Sequence, residues 1–418
     1  MQGQTALDSR ASKWACHTML ASYGVSLAAL TGALPHIRAA LASGLASMGV
    51  VFALAQMTFV IGSLTSGFVV RHLGWRRAIS IGAFVMACGT GLIAFPQSYP
   101  GLLLACSLMG AGGGLLSPQV NGFLSSLDPG REARVVSATQ VSFGIGAIVG
   151  IALAGLGGEL SLWRWAFALS AMGGLGTGLL LLTQVFLDTR GASAGVPNDA
   201  GSTSHPPSPT RRGPAAGWMA GLQPTARRAF ITACVAMLLY STVEVSFWGW
   251  LPSYLQEVMG GWSSLSAVTS IGFWTVFTAG RAATPYFSSR MGEVRLLLTA
   301  GLAAMLCLLA FSVSSGSAVT VVLSVFLAMS MASIWPTLVA YVAKACRGAE
   351  AHALGVIVAC GGLGGVVGPA AVGFLAESIG LQGVVRWLLV PGMAMLLCLR
   401  VLPSGLDGGR KALSQRQA

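Results

Sequence analysis

Twelve runs of mostly apolar residues divide this chain, and each is close to the length of about 20 residues that a helix needs to cross a bilayer. They are 14–35, 45–70, 78–95, 100–126, 135–157, 164–187, 229–254, 263–287, 295–313, 317–344, 352–377 and 383–402. In hydrocarbon every backbone N–H and C=O must be satisfied within the protein, so such runs are helices. The expected fold class is an all-α membrane protein. The composition agrees: only 9% of residues are charged, against about 25% in soluble proteins. The 56 glycines suit helices that pack closely in lipid.

Several function classes are excluded on the same grounds. The net charge of +12 lies in short clusters between apolar runs, not on one aromatic-interleaved face, so no nucleic acid is expected as a partner. The eight cysteines are scattered without a CxxC pair and read as buried free thiols, with no metal site. Glycine clusters at 110–114 and 361–365 follow no strand and precede no GK[ST], so they are packing surfaces rather than nucleotide loops. No catalytic set and no cofactor are expected, and an enzyme is not. The N-terminus runs straight into a first span too long for a cleavable signal.

Lys and Arg placement orients the spans. With the N-terminus inside, 20 of the 24 basic residues fall on the inner side, and only Arg38, Arg164 and Arg386 on the outer. Arg281 falls within a span. Both termini are therefore expected in the cytoplasm. So is residues 188–228, a Pro/Ser/Gly-rich stretch that cannot build a core and reads as a flexible linker. The expected domains are a six-helix half over 1–187, the linker, and a second six-helix half over 229–418.

The two halves are copies. Gly62, Gly74, Arg77, Pro118 and Glu132 lie 218 residues before Gly280, Gly292, Arg295, Pro336 and Glu350. The same shift lays Gly144, Gly146, Gly150 and Gly155 on Gly362, Gly364, Gly368 and Gly373. Pro35 and Pro252, in the first span of each half, align to within one residue.

Two parallel six-span repeats joined by a linker resemble the major facilitator superfamily. Its loop motif between spans 2 and 3 is matched by Gly67, Gly74, Arg76 and Arg77, and in the second copy by Arg290, Gly292 and Arg295. The resemblance implies a gate at these positions. The motif's acid is replaced by Arg71 and Ser289, and span 5 lacks the Pro of the family's antiporter pattern. GAGGGLLSPQVNGF (110–123), ATQVSFGIGAIVG (138–150), YSTVEVSFWGWLPSYL (240–255) and GFWTVFTAGR (272–281) are similar to the fucose/glucose permease branch, with IWPTL (334–338) in support. The first-half membrane carboxylates of that branch's sugar permeases are absent.

Of the twelve acids only Glu244 lies deep in a span. A carboxylate there costs a few kcal/mol and should face the bundle interior or a water-filled cavity. It either carries a proton as access alternates or, protonated, ties span 7 to a neighbour. Tyr240, Glu244, Trp248 and Pro252 share one helical face. Tyr240 and Trp248 are candidate substrate contacts, whereas Trp250 and Tyr254 read as an aromatic belt at the membrane surface. Pro252 suggests a bend useful in gating. Arg281 either holds an anionic substrate group or pairs with a carboxylate, or, as in the resembling family, is part of the inner gate. Asn121, Gln140, Gln56 and Tyr23 are further candidates for substrate binding, the amides being alternatively interhelical hydrogen-bonders. His36 and His352 read as interfacial.

The expected function is secondary active transport of a small solute across the inner (cytoplasmic) membrane by alternating access, with protons and the lipid bilayer as partners and the monomer as the working unit. Symport is the expected direction because the antiporter pattern is incomplete. Proton-driven export of drugs or metabolites is the alternative, and uniport with a structural Glu244 is the third reading.

Overall fold

The computed structural model describes residues 2–95, 98–127, 132–156, 163–193, 219, 222–258, 260, 263–314, 316–347 and 349–403. Among the described residues thirteen helices follow one another: α1 (Gln2–Leu41), α2 (Leu45–Leu73), α3 (Trp75–Ile93), α4 (Tyr99–Leu127), α5 (Glu132–Leu156), α6 (Trp163–Ser193), α7 (Pro224–Glu257), α8 (Ser263–Met291), α9 (Glu293–Val313), α10 (Ser317–Ala332), α11 (Ile334–Ala345), α12 (Glu350–Trp387) and α13 (Leu389–Val401). The linker anticipated at 188–228 falls largely outside the described residues.

Among the described residues ten helical stretches are long and apolar enough to cross a membrane. One of these, His352–Val401, is 50 residues long and turns at Gly380, whose φ of 69° breaks the helix. It therefore supplies two spans. The remaining span is α8, whose serines, threonines and Arg281 lower its hydropathy. Twelve spans in an all-α fold result, as the hydropathy pattern predicts.

The chain forms two compact units, residues 1–42 with 57–214, and 43–56 with 215–418. In the first unit α1 packs mainly on α5 and α6, and α3 on α4 and α6. In the second, α7 packs mainly on α12 and α13, and α8 on α10.

Both units use the same joint. A Cβ on Gly146 or Gly150 would run into the Ala21 and Val25 carbonyls of α1, and one on Gly364 or Gly368 into the Leu238 and Thr242 carbonyls of α7. Only a bare Cα permits that approach, as expected where small residues let helices meet in lipid. These contacts also correct the register of the repeat. Gly146 and Gly364 are 218 apart, but their targets Ala21 and Leu238 are 217 apart. Pro35 and Pro252 keep the shorter shift. The second copy therefore has one more residue between its first and second spans. Tyr23 matches Tyr240, and Glu244 matches Leu27 rather than Ser26.

The loop glycines repeat as well. Gly74 and Gly292 each have φ 78°, a left-handed conformation that residues with a Cβ adopt at a cost. Each caps the helix that follows it.

The paired prolines part company. Proline removes one helical hydrogen bond and crowds the carbonyl four residues back. Pro118 lies inside the unbroken α4, and the Gly114 carbonyl four residues before it accepts from Ser63 Oγ at 3.1 Å. Before Pro336 the tenth span is interrupted at Ser333, between α10 and α11.

Candidate functional site

In the second unit, α7 and α8 bring three predicted site residues together. Glu244 is 5% exposed, and Arg281 Nη2 of α8 donates to its Oε1 at 3.1 Å. The Arg281 guanidinium lies 4.4 Å from the centre of the Phe277 ring, one turn earlier on α8, a cation–π contact that holds it in place. Tyr240, fully buried one turn before Glu244, sits against both members of the pair. Its hydroxyl donates to the Met331 carbonyl at 3.0 Å, beside the α10–α11 interruption. Trp248, one turn after Glu244, is buried and packs on Trp274 at 5.5 Å between ring centres. Gln56 stands apart from these, its amide over Gly365.

An ion pair out of water is worth little net stability, because desolvation offsets the attraction, yet removing one partner costs about 3–5 kcal/mol. The acid therefore has two compensated states: charged against Arg281, or neutral with a proton. The side chain of Arg281 is 20% exposed and that of Glu244 6%. The guanidinium is the more accessible member.

The first unit holds Tyr23, Asn121 and Gln140. Tyr23 is buried, its ring stacked on Phe59 with centroids 5.8 Å apart and lying over the bare Cα of Gly113. Phe143 completes this aromatic cluster at 5.7 Å. The Asn121 side-chain carbonyl accepts from Thr139 Oγ1 at 2.7 Å, which joins α4 to α5. Gln140 is half-buried on α5.

The residues expected at the gate stay with their loops. Gly67 is exposed with open space about it. Arg290 lies over Tyr286 at 4.4 Å, and its repeat counterpart His72 over Phe68 at 4.3 Å. Arg76 is half-buried, while Arg77 and Arg295 are exposed. In the second copy Glu293, next to Gly292, pairs with Lys344 of α11. Arg281 is placed otherwise, with the acid of α7.

Two expectations change. A membrane-surface belt leaves its aromatics exposed, but Trp250 is 4% and Tyr254 2% exposed. The Trp250 indole donates to the Pro369 carbonyl at 3.3 Å, and its ring meets Phe52 edge-on. Among the cysteines Cys88 is exposed, against the expectation of burial. Three contacts escaped sequence reasoning: Thr139, Phe277, and His17 of α1, whose Nδ1 lies 2.8 Å from Ser142 Oγ of α5. An ionisable imidazole inside the first apolar run was the available signal for the last. Among the described residues no three His, Cys, Asp or Glu side chains converge as metal ligands.

Comparison with known proteins agrees with this architecture. The family profile of the Major Facilitator Superfamily matches residues 16–349. A hexuronate transporter of Bacillus subtilis (strain 168) is 22% identical over 391 residues, covering 90% of this chain and 89% of the relative. A probable multidrug-efflux transporter of Mycobacterium tuberculosis (strain H37Rv) is 28% identical over 152 residues, covering 35% of this chain and 31% of its own length. Among solved structures, a D-xylose-proton symporter superposes with a TM-score of 0.73 at 13% identity, covering 95% of this chain and 98% of its own. At that identity the likeness is one of fold.

Proposed function

Since the chain belongs to the major facilitator superfamily, and so is a multi-pass membrane transporter rather than an enzyme, we propose that it moves a small solute by alternating access, driven by protons and in symport. The observation that carries this reading is the Glu244–Arg281 pair, the one carboxylate deep in a span held in contact with the one cation within a span. Glu244 is compensated with or without a proton, provided Arg281 has another partner when the acid is neutral. Such a group can pick up a proton on one side of the membrane and release it on the other. Tyr240 holds the pair; Trp248 and Gln56 are the second unit's candidate contacts for the solute, and Asn121, Gln140 and Tyr23 the first unit's. The glycine-and-arginine loops at 67–77 and 290–295 form the gate.

The relatives support solute transport in either direction: one is named a hexuronate transporter and another a multidrug-efflux transporter. The finer resemblance to the fucose/glucose permeases rests on the motifs alone. The basic-residue bias supports the inner membrane as the location, with both termini and the linker in the cytoplasm, two halves over 1–187 and 229–418, and a monomer as the working unit.

The test is Glu244→Gln. Proton-driven uptake in right-side-out vesicles should vanish while substrate counterflow persists, because exchange needs no net proton movement. Driven transport that survives intact removes Glu244 as the coupling group. Accumulation in inverted vesicles instead of right-side-out ones would reverse the direction and favour export.

A further inference from the structure

We infer that the transported solute carries a carboxylate, and that this carboxylate takes the place of Glu244 on Arg281. The inference rests on the transport reading above and names its substrate class.

The argument starts from charge. Glu244 and Arg281 together are neutral, and both lie on the buried faces of α7 and α8. Their Phe277, Tyr240 and Trp248 surroundings offer little solvation. A neutral solute gains nothing from a guanidinium already matched to an acid. A cationic solute would meet the guanidinium first, since it is the more exposed member, 20% against 6%, and be repelled. An anionic solute meets a cation that is accessible, planar and pre-oriented by the ring 4.4 Å beneath it. Guanidinium forks match carboxylates geometrically.

Exchange of partners then follows from charge balance. If the solute carboxylate accepts from Arg281 while Glu244 stays ionised, the site holds two negative charges against one positive. Two carboxylates sharing one site do not both stay ionised. One proton from water therefore adds to a Glu244 carboxylate oxygen, giving a neutral acid, and the site is again uncharged overall. The stoichiometry is one proton per carboxylate, and the loaded carrier crosses its midpoint with the same charge as the empty one. Tyr240 gives the neutral acid a nearby hydroxyl partner.

Among the described residues, other titratable groups on the helices around α7 stand elsewhere: Glu377 of α12 accepts from the Ala46 N–H, and Arg290 of α8 lies over Tyr286. On α12, Cys360 sits with Cys234, and Arg386 donates to the Ser312 carbonyl at 3.4 Å. On α11, Lys344 pairs with Glu293 of α9, and Tyr341 donates to the Pro403 carbonyl. On α13, Arg400 is exposed at the far end and Cys398 is half-buried. Glu244 itself has Arg281 as its ion-pair partner, with Tyr240 one turn away on α7.

The experiment measures binding to the purified full chain by calorimetry for glucuronate, lactate and benzoate, each beside its uncharged amide, at two pH values about two units apart. At least one acid should bind while its amide does not, with proton uptake of about one per acid bound, seen as a buffer-dependent heat. Arg281→Gln should weaken that binding on the order of 100-fold. Glu244→Gln removes the competing acid, so it should bind the carboxylate at both pH values at least as tightly as the wild type does at the lower one, and abolish both the pH dependence and the proton uptake. Because Arg281→Gln leaves a buried acid alone, the double variant Glu244→Gln/Arg281→Gln serves as the folded control and should also fail to bind. Equal binding of acid and amide, no binding by any acid, or unchanged acid binding in the double variant overturns the inference. Loss of proton-driven transport in Glu244→Gln alongside any of these leaves the coupling role standing and removes only the carboxylate.

Discussion

One place in the fold occurs twice, and the two copies have been put to opposite uses. With the one-residue correction for the first span, Tyr23, Leu27, Phe59, Ser63 and Gly113 occupy in the first unit the places of Tyr240, Glu244, Phe277, Arg281 and Met331 in the second. The tyrosine and phenylalanine are kept. In the first unit Tyr23 stacks on Phe59 and lies on Gly113, and Ser63 satisfies the carbonyl that Pro118 leaves without its helical donor. In the second, Phe277 carries a guanidinium instead of a tyrosine ring, and the position of Ser63 reaches across to an acid. The frame holds its shape without charge, as the first copy shows. The charges of the second copy are additions to that frame, which agrees with the transport role proposed for them.

The sharpest way to break this contrast is to remove one charge and then both. Arg281→Gln leaves Glu244 buried without its counter-ion, which costs about 3–5 kcal/mol less whatever the acid recovers by taking a proton. The melting temperature in detergent should fall clearly. Glu244→Leu/Arg281→Ser copies the first unit's residues at both places. It should melt near or above the wild type, because well-packed apolar replacements of buried pairs are often neutral or stabilising, while transport is lost. If the double variant melts as low as Arg281→Gln, the pair is structural and the contrast fails.

The reverse graft is the next largest. Leu27→Glu places an acid at the matching position of the first unit, which is 9% exposed and has Ser63 where the second unit has Arg281. On insertion scales such a group costs on the order of 3 kcal/mol. Adding Ser63→Arg should recover part of that loss if the two frames are equivalent. Recovery would be read from the melting temperature of the double variant against Leu27→Glu alone, and no recovery would mean that the register of the repeat differs from the one set by Gly146 and Gly364.

Much of this was legible beforehand. The spans, the loops around Gly74 and Gly292 and the repeat itself are carried by hydropathy and by residues that only backbone geometry explains. Glu244 stood out because a lone acid in an apolar run has few bland readings. Arg281 stood out too, as the cation within an apolar run with a carboxylate among its expected partners, but which acid it meets was not legible, since Glu244 lies 37 residues away on another helix and pairing across spans leaves no periodic trace. The shift that makes Leu27 its counterpart lies in a loop, where a single added residue disturbs no pattern. Trp250 and Tyr254 were misjudged because depth in the membrane says nothing about which way a side chain faces. The interruption at Ser333 was equally hidden, for Pro118 occupies the same place and α4 runs on through it.

That interruption yields the finest test of the comparison. Tyr240 donates to the Met331 carbonyl at 3.0 Å, next to the break, whereas Tyr23 meets its counterpart Gly113 through its ring. Tyr240→Phe removes one of the two donors to the Met331 carbonyl, which also accepts from the Ser333 N–H, at about 1 kcal/mol. Tyr23→Phe keeps the stack on Phe59 and should change stability by less than half as much. Amide exchange over 329–335 should rise in Tyr240→Phe and stay level in Tyr23→Phe, because only the first variant loosens the α10–α11 junction. Equal effects from the two substitutions would mean that the hydroxyl of Tyr240 does not secure the break. The first- and second-unit tyrosines would then serve only as rings, and the junction would owe its shape to Pro336 alone.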